Sequence, residues 1–254
     1  MIVRSDCRLS SSSNNKTGGG SYAFNLIELL VVIVIIGILA SLLLSVISRA
    51  KENAKRIQCV NNLHQFGIGL QEFVGDNHDY PLFFNVDFTN GGYPEHRRSW
   101  VDALINEGLV TKRGKNWFTE GVWHCPSAER PADYPTNAVY ASYGYNAYGH
   151  WDNYHAIGLG GQNYARSGTL APPVSESQVV IPSDMMAMGE TFGGVVFSRG
   201  VNFTKSKQAN LRHQGRANVV FCDGHVESPM LGFLFEDTND AALVRWNRDH
   251  LPHR

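Results

Sequence analysis

FNLIELLVVIVIIGILASLLLSVI, residues Phe24–Ile47, decides how the rest of the chain must be read. Of these 24 residues only Asn25, Glu28, Gly37, Ser41 and Ser45 interrupt the large apolar side chains and Ala40. A helix of that length reaches about 36 Å, enough to cross a hydrocarbon core of about 30 Å. A helix buried in a soluble protein keeps a polar face at helical spacing, and this one has none. The segment is too long and too apolar for the core of a secretory signal peptide, and no small-x-small cleavage site follows it. It reads as a membrane helix. Glu28 stands apart, one turn into the run. A carboxylate in an apolar span is costly and tends to be functional, with a partner to be sought. The plainer alternative is a headgroup-level position from which its side chain reaches water.

On the N-terminal side, residues 1–21 are polar and of low complexity, with SSSNNKTGGGS at their centre. Such a stretch cannot bury a core and is expected to be disordered. On the other side, Ile47, Ala50, Ala54, Ile57, Val60, Leu63, Phe66, Leu70 and Phe73 recur at spacings of three and four. That pattern predicts an amphipathic helix continuing from the membrane span. One helix of about 50 residues and about 75 Å would then be half embedded in a bilayer and half packed on a folded body. Gly75, Asp76 and Asn77 are its expected stop, and Pro81 cannot continue it.

AFNLIELLVVIVIIGILA (Ala23–Ala40) resembles the N-terminal signature of type IV pilins and type II secretion pseudopilins. The resemblance implies that a prepilin peptidase cuts between Ala23 and Phe24, that Phe24 is then N-methylated, and that Glu28 neutralises the terminal amine of a neighbouring subunit. Ala23 stands where the family usually has Gly. CVNNLHQFGIGLQEFVGDNHDYP (Cys59–Pro81), VWHCPSA (Val122–Ala128) and SYGYN (Ser142–Asn146) are similar to segments of a planctomycete-type subgroup of prepilin-like proteins. RHQGRANVVFCDGHV contains His213, nine intervening residues and Asp223-Gly224, which fits the H-x9-DG motif of that subgroup. Arg49, Lys51, Lys55 and Arg56 follow the span, whereas Arg4, Arg8 and Lys16 precede it. Charge alone therefore favours a cytoplasmic body. The resemblance implies the reverse: an inner-membrane, single-pass subunit with its head on the periplasmic or extracellular side.

The net charge of −1 argues against a general nucleic-acid binder. Of four cysteines, Cys7 lies in the leader, leaving Cys59, Cys125 and Cys222 with no CxxC or zinc-ribbon spacing. An exported body permits a Cys59–Cys125 disulfide, with Cys222 a buried thiol; three free buried thiols are the alternative. Gly, Tyr, Asn and Trp content suggests a loop-rich, β-leaning body.

The expected fold is α+β and pilin-like, with the long N-terminal helix packed on a small antiparallel sheet with long loops. Its parts are a leader (1–23), a membrane half-helix (24–47), an amphipathic half-helix (48–76) and a head (77–254). Within the head, Ser99–Val110 reads as a short helix capped by Ser99, with Trp100, Ala103 and Leu104 inward. Tyr140–Gly168 reads as a long Tyr-rich loop. Gln178–Pro182, Asp184–Gly189 and Gly194–Ser198 are short apolar runs of strand character. Ala217–Ser228 predicts a hairpin with a two-residue Asp223-Gly224 turn, inside the motif region 213–228. The tail after Pro229 is read as a surface helix or a frayed end.

Glu190, His213, Asp223 and His225 form the one constellation with metal-ligand chemistry, for calcium or another structural ion. No compact spacing such as HExxH supports it, and no metal or cofactor is assigned. His124 and Cys125, as neighbours, point to opposite faces of a strand and are not joint ligands. Ser198, Ser206 and Ser228 lack a nucleophile-elbow setting, so no catalytic site is expected. The function implied is a structural subunit of a type IV pilus-like or type II secretion pseudopilus filament, with prepilin peptidase and related pilin subunits as partners. The alternatives are a membrane-anchored receptor or carbohydrate-binding module using segment 140–168, and an anchored hydrolase using the His and carboxylate group.

Overall fold

The computed structural model describes residues 25–83, 99–106, 120–130, 140–150, 157–160, 172–199 and 209–253. The leader, the Ala23–Phe24 junction, Ser206 and parts of the Tyr-rich segment lie outside the described residues. By its internal contacts the chain divides at Ile47 into two units, Met1–Ile47 and Ser48–Arg254.

In the first unit the described residues are helical from Leu26, the start of α1 (Leu26–Asn77). Asn25 opens the helix. Its side-chain oxygen accepts the Ile27 N–H at 3.3 Å, and the Glu28 carboxylate accepts the Asn25 N–H at 3.2 Å, in the manner of a capping box. Every residue from Asn25 to Ile47 is exposed. Ser41 and Ser45 donate their hydroxyls to the Ile38 and Leu42 carbonyls at 2.7 and 2.9 Å, so these polar atoms are satisfied within the helix. An apolar surface of this size has no place in water, whereas a bilayer accepts a helix whose polar groups are internally bonded.

The second unit is an antiparallel sheet between two apolar layers. Its strands are β1 (Ala141–Tyr145), β2 (Met186–Gly193), β3 (Val219–Phe221) and β4 (Val226–Glu227), in the spatial order β1-β2-β3-β4. The helix stretch of this unit buries Cys59, Asn62, Leu63, Phe66, Gly67, Leu70, Phe73 and Val74, one face at spacings of three and four. Against that face pack Tyr143 and Tyr145 of β1, Ala187 and Met188 of β2, and Val220 of β3. Trp100 and Leu104 of α2 (Trp100–Asn106) and Trp123 complete this layer. Phe66 meets Tyr143 edge-on at 5.3 Å, and Trp100 stacks on Tyr145 at 5.9 Å. Each such buried side chain contributes about 1.5–3 kcal/mol. The opposite face of the sheet carries Met186, Phe192, Val219 and Phe221 under Leu231, Leu234 and Trp246.

Several expectations change. The apolar stripe expected from Ile47 is not buried along its whole length: Ala50, Ala54 and Ile57 are exposed, and the buried face begins at Cys59 and includes polar Asn62. The Tyr-rich segment begins with a fully buried strand, so Tyr140, Tyr143 and Tyr145 are core side chains and offer no contact surface. Gln178–Pro182 is no strand: Glu176–Gln178 is a 3-10 turn closed by a Ser175 capping box, and Val180 is exposed. Gly194–Ser198 makes a single parallel bridge, Val196 to Tyr145. The run at Asp184 extends much further, to Gly193. The tail is neither frayed nor superficial. Helices α3 (Leu231–Phe235) and α4 (Asp240–Leu243) and a turn to Trp246 cover the outer face of the sheet.

The hairpin forms, with a different turn. Phe221 N–H donates to His225 O at 2.9 Å, leaving Cys222, Asp223 and Gly224 as a three-residue loop. Gly224 has φ +88° while Asp223 is not in the left-handed region, which is the turn-plus-bulge geometry of three-residue loops. α1 ends at Asn77, where His78 turns left-handed at φ 55°. Ser99 caps α2 through its hydroxyl, 3.2 Å from the Asp102 N–H.

Helix and hairpin touch at Gly67. A Cβ there would lie 2.8 Å from Val220 Cγ2 and 2.9 Å from Gly224 O, both closer than side chains tolerate. Gln71 donates its side-chain amide to the Cys222 carbonyl one turn further on. Gly→Ala inside a helix ordinarily stabilises by about 1 kcal/mol. Here the sign reverses: Gly67→Ala is expected to lose about 1–3 kcal/mol through overpacking. Gly75→Ala, with open space at its Cβ, is expected to be neutral or slightly stabilising. Urea melts of the detergent-solubilised full chain compare the two.

A buried thiol, histidine and carboxylate cluster

Four segments meet inside the helix-side layer. Cys59 comes from α1, Cys125 from the turn after the 3-10 segment Gly121–Trp123, Glu190 from β2, and His213 from the bend at 209–214. All four are buried, and their ligand-capable atoms lie within 4.8 Å of one another. The two sulfurs are 2.6 Å apart, Cys125 Sγ is 3.3 Å from His213 Nε2, and His213 Nε2 is 2.8 Å from Glu190 Oε1.

Local structure explains each placement. Cys59 opens the buried face of α1, and Asn62 on that face donates to the His124 carbonyl at 3.1 Å and the Tyr143 hydroxyl at 3.2 Å. This pins the Cys-Pro segment beside the helix. His124 itself is only half-buried, whereas Cys125 is fully buried. Glu190 pairs with Tyr143 across the β1–β2 ladder. Its second oxygen, Oε2, accepts the Asn218 N–H at 2.9 Å and the Asn218 side-chain amide at 3.3 Å. Asn218 in turn accepts from the Ser228 hydroxyl at 2.6 Å. His213, Gln214 and Gly215 are left-handed in succession, at φ 48°, 60° and 78°. Two non-glycine residues in that region carry backbone strain, which the packing must hold.

The charges are mutually supported. Burial pushes Glu190 up, but the hydrogen bond and charge of His213, the nearby Arg212 guanidinium and the Asn218 N–H hold it below the usual carboxylate range. Burial alone would push His213 down; hydrogen bonds to Cys125 and Glu190, and their charges, lift it to about 9. Burial pushes the Cys125 thiol up, and Cys59 and Glu190 add to it. Arg212 is itself fixed, donating to Thr191 O at 2.9 Å and lying over the Phe192 ring at 4.7 Å.

The arrangement is not a nucleophilic relay. A Cys-His-carboxylate relay uses one ring nitrogen for the sulfur and the other for the carboxylate. Here His213 Nε2 faces both, and Nδ1 is buried with no hydrogen-bond partner among the described residues. The sulfurs have no exposure to a substrate either.

Two groups that the sequence left separate meet here: the Cys59–Cys125 pair stays together, and the Glu190, His213, Asp223 and His225 constellation is split. Glu190 and His213 are together, but Asp223 and His225 sit on the partly exposed hairpin turn, bonded to each other at 2.5 Å, with His225 stacked on Phe221. The four-residue constellation is therefore not one group, because the hairpin loop carries Asp223 and His225 outward. Cys59 and Cys125 take their places. Spacing could not reveal this, since the four donors come from separate parts of the chain. The signals available were the possible Cys59–Cys125 pairing and an acidic residue, Glu190, following the apolar run at 185–189.

Removing one member of a buried pair leaves the other uncompensated. His213→Ala is expected to destabilise the folded head by about 3–5 kcal/mol. Asp223→Ala, at the exposed turn, should stay within about 1 kcal/mol. The midpoints of urea unfolding check both.

The chain is 41% identical over 98 residues to the type II secretion system core protein G of Escherichia coli (strain K12), a match covering 39% of this chain and 58% of that protein. The chain thus spans somewhat more than half the length of the curated relative it matches. No family model matches the chain, and no solved structure matches it. The long apolar N-terminal helix and small antiparallel sheet are a pilin-like α+β arrangement, and with this similarity the chain resembles a pseudopilin.

Proposed function

We propose that the chain is a structural subunit of a type II secretion pseudopilus or a type IV pilus-like filament, and that it acts by assembly rather than catalysis. The observation that carries this reading is an exposed apolar helix with one carboxylate in its first turn, in a chain similar to a pseudopilin. The span anchors the precursor in the inner membrane with the head outside the cytoplasm. A prepilin peptidase removes residues 1–23, and Phe24 becomes the N-methylated terminus. The amine of Phe24 in one subunit then pairs with Glu28 of a neighbour within a bundle of apolar helices.

The physical logic is a choice between partners. Among the described residues the Glu28 carboxylate accepts the Asn25 N–H at 3.2 Å, a neutral donor. Among packed apolar helices an ionised carboxylate needs a cation, and a neighbour's terminal amine supplies one. Pairing at one position along the helix also sets the axial stagger between subunits. The H-x9-DG region, from His213 to the hairpin loop, is then part of the head scaffold: its histidine enters the buried cluster and its Gly224 abuts α1.

Two experiments test this. Mass spectrometry of the protein from its native cell is expected to find N-methyl-Phe24 as first residue; an intact Met1 overturns the processing step. For assembly, Glu28→Gln keeps an acceptor for the Asn25 N–H, as capping boxes allow, but removes the charge. Both Glu28→Gln and Glu28→Ala are expected to insert in the membrane and fold, yet to lose most filament incorporation in a sheared-filament assay. Normal incorporation of Glu28→Gln would show that the carboxylate only caps its own helix.

A further inference from the structure

We propose that Cys59, Cys125, Glu190 and His213 are the four ligands of a structural zinc ion that joins α1 to the head. This goes beyond the filament role and does not depend on it. The donors are two sulfurs, one imidazole nitrogen and one carboxylate oxygen, the set that tetrahedral zinc sites use. Calcium, which takes six to eight oxygen ligands, does not fit these donors.

Three features of the geometry point to an ion. First, Sγ of both cysteines, Nε2 of His213 and Oε1 of Glu190 converge on one small volume, within 4.8 Å of one another. A shared His nitrogen facing both sulfur and carboxylate makes a poor relay but a good ligand. Second, Glu190 is held from behind: Asn218 binds its other oxygen through two N–H groups, and Ser228 orients Asn218. Outer hydrogen bonds of this kind aim metal-binding carboxylates. Third, burying a carboxylate and an imidazole with two thiols in an aromatic core is expensive unless a strong interaction repays it. Bound to zinc, with both sulfurs as thiolates, His213 neutral and Glu190 ionised, the group carries one net negative charge. Arg212, adjacent to His213 in the chain and bonded to the carbonyl of Thr191 beside Glu190, brings a positive charge that offsets it.

Zinc–sulfur bonds of about 2.3 Å in a tetrahedron place the sulfurs about 3.7 Å apart. The two thiols, now 2.6 Å apart, would separate by about 1 Å on taking the ion, a movement within side-chain torsion. All four positions are filled by protein and the cluster is sealed, so the ion is structural and enters as the head folds. Its ligands come from α1, the Cys-Pro turn, β2 and the 209–214 bend, so it ties together elements spread over more than half of the chain.

The same sulfurs are close enough to be oxidised to a disulfide, and the experiment separates the two. The full chain, purified in detergent without chelator, is expected to contain about one zinc per chain by elemental analysis. Its intact mass is expected to show Cys59 and Cys125 reduced and alkylatable only after unfolding with a chelator. Replacement by cobalt(II) should give the intense visible bands of a tetrahedral site and a near-ultraviolet thiolate band. His213→Asn and Cys59→Ser should lose the zinc. If those variants fail to fold, removal of zinc from the native chain with phenanthroline should lower its melting temperature, and zinc alone should restore it. Asp223→Ala and His225→Ala, on the hairpin turn, should keep full zinc. A Cys59–Cys125 disulfide peptide, or no stoichiometric zinc after dialysis against the metal, overturns the proposal.

Discussion

A single helix here has to suit two solvents. From Leu26 to Ile47 nothing in the described protein covers α1, and its surface is almost wholly hydrocarbon. From Cys59 onward the same helix is the floor of the head, with Leu63, Phe66 and Leu70 essentially inaccessible to water. Between them, residues 48–58 are polar or lightly packed, with Lys55 and Glu52 paired at 2.8 Å on the surface. An isolated helix of the second kind would fray in water and gains its stability from the tertiary packing of one face. The head therefore depends on α1 as much as α1 depends on it.

Given that floor, the sheet is short of material. β3 has three residues and β4 two, too few to stand as an independent hairpin. What holds them is coverage on both faces. Val220 meets α1 at Gly67, and Val219 and Phe221 turn to Leu231, Leu234 and Trp246 from the tail. Alternation along β3 thus supplies two cores at once. This is why the tail is built in: without it Met186, Phe192 and Phe221 would present an apolar face to water.

Polar groups in this interior are few and arranged in answering sets. Asn62 fastens the Cys-Pro segment, Asn146 bonds the carbonyls of Met186 and Trp246, and Asn218 braces Glu190. Each replaces water that the core excludes, as buried polar groups must. The Cys59, Cys125, Glu190 and His213 cluster is the densest of these sets. It shows how a strained bend at His213 is sustained: burial and the contacts of Nε2 with Cys125 and Glu190 hold it in place.

Sequence alone determined what local periodicity and composition encode. The membrane-length helix, its continuation through Phe73, the Ser99 cap and the hairpin around Asp223-Gly224 were all legible, because each leaves a mark within a few residues, and the resemblance to pilins implied the α+β class. Tertiary structure decided the rest. It moved the buried face of α1 to start at Cys59, turned part of a Tyr-rich loop into a buried edge strand, and folded the tail over the sheet. Each depends on which apolar surface finds another, and no local spacing records that. The cluster is the clearest case: the sequence offers the Cys59–Cys125 pair and the Glu190 and His213 constellation as two separate groups. Only the packing of α1 against the sheet brings them within reach of one another.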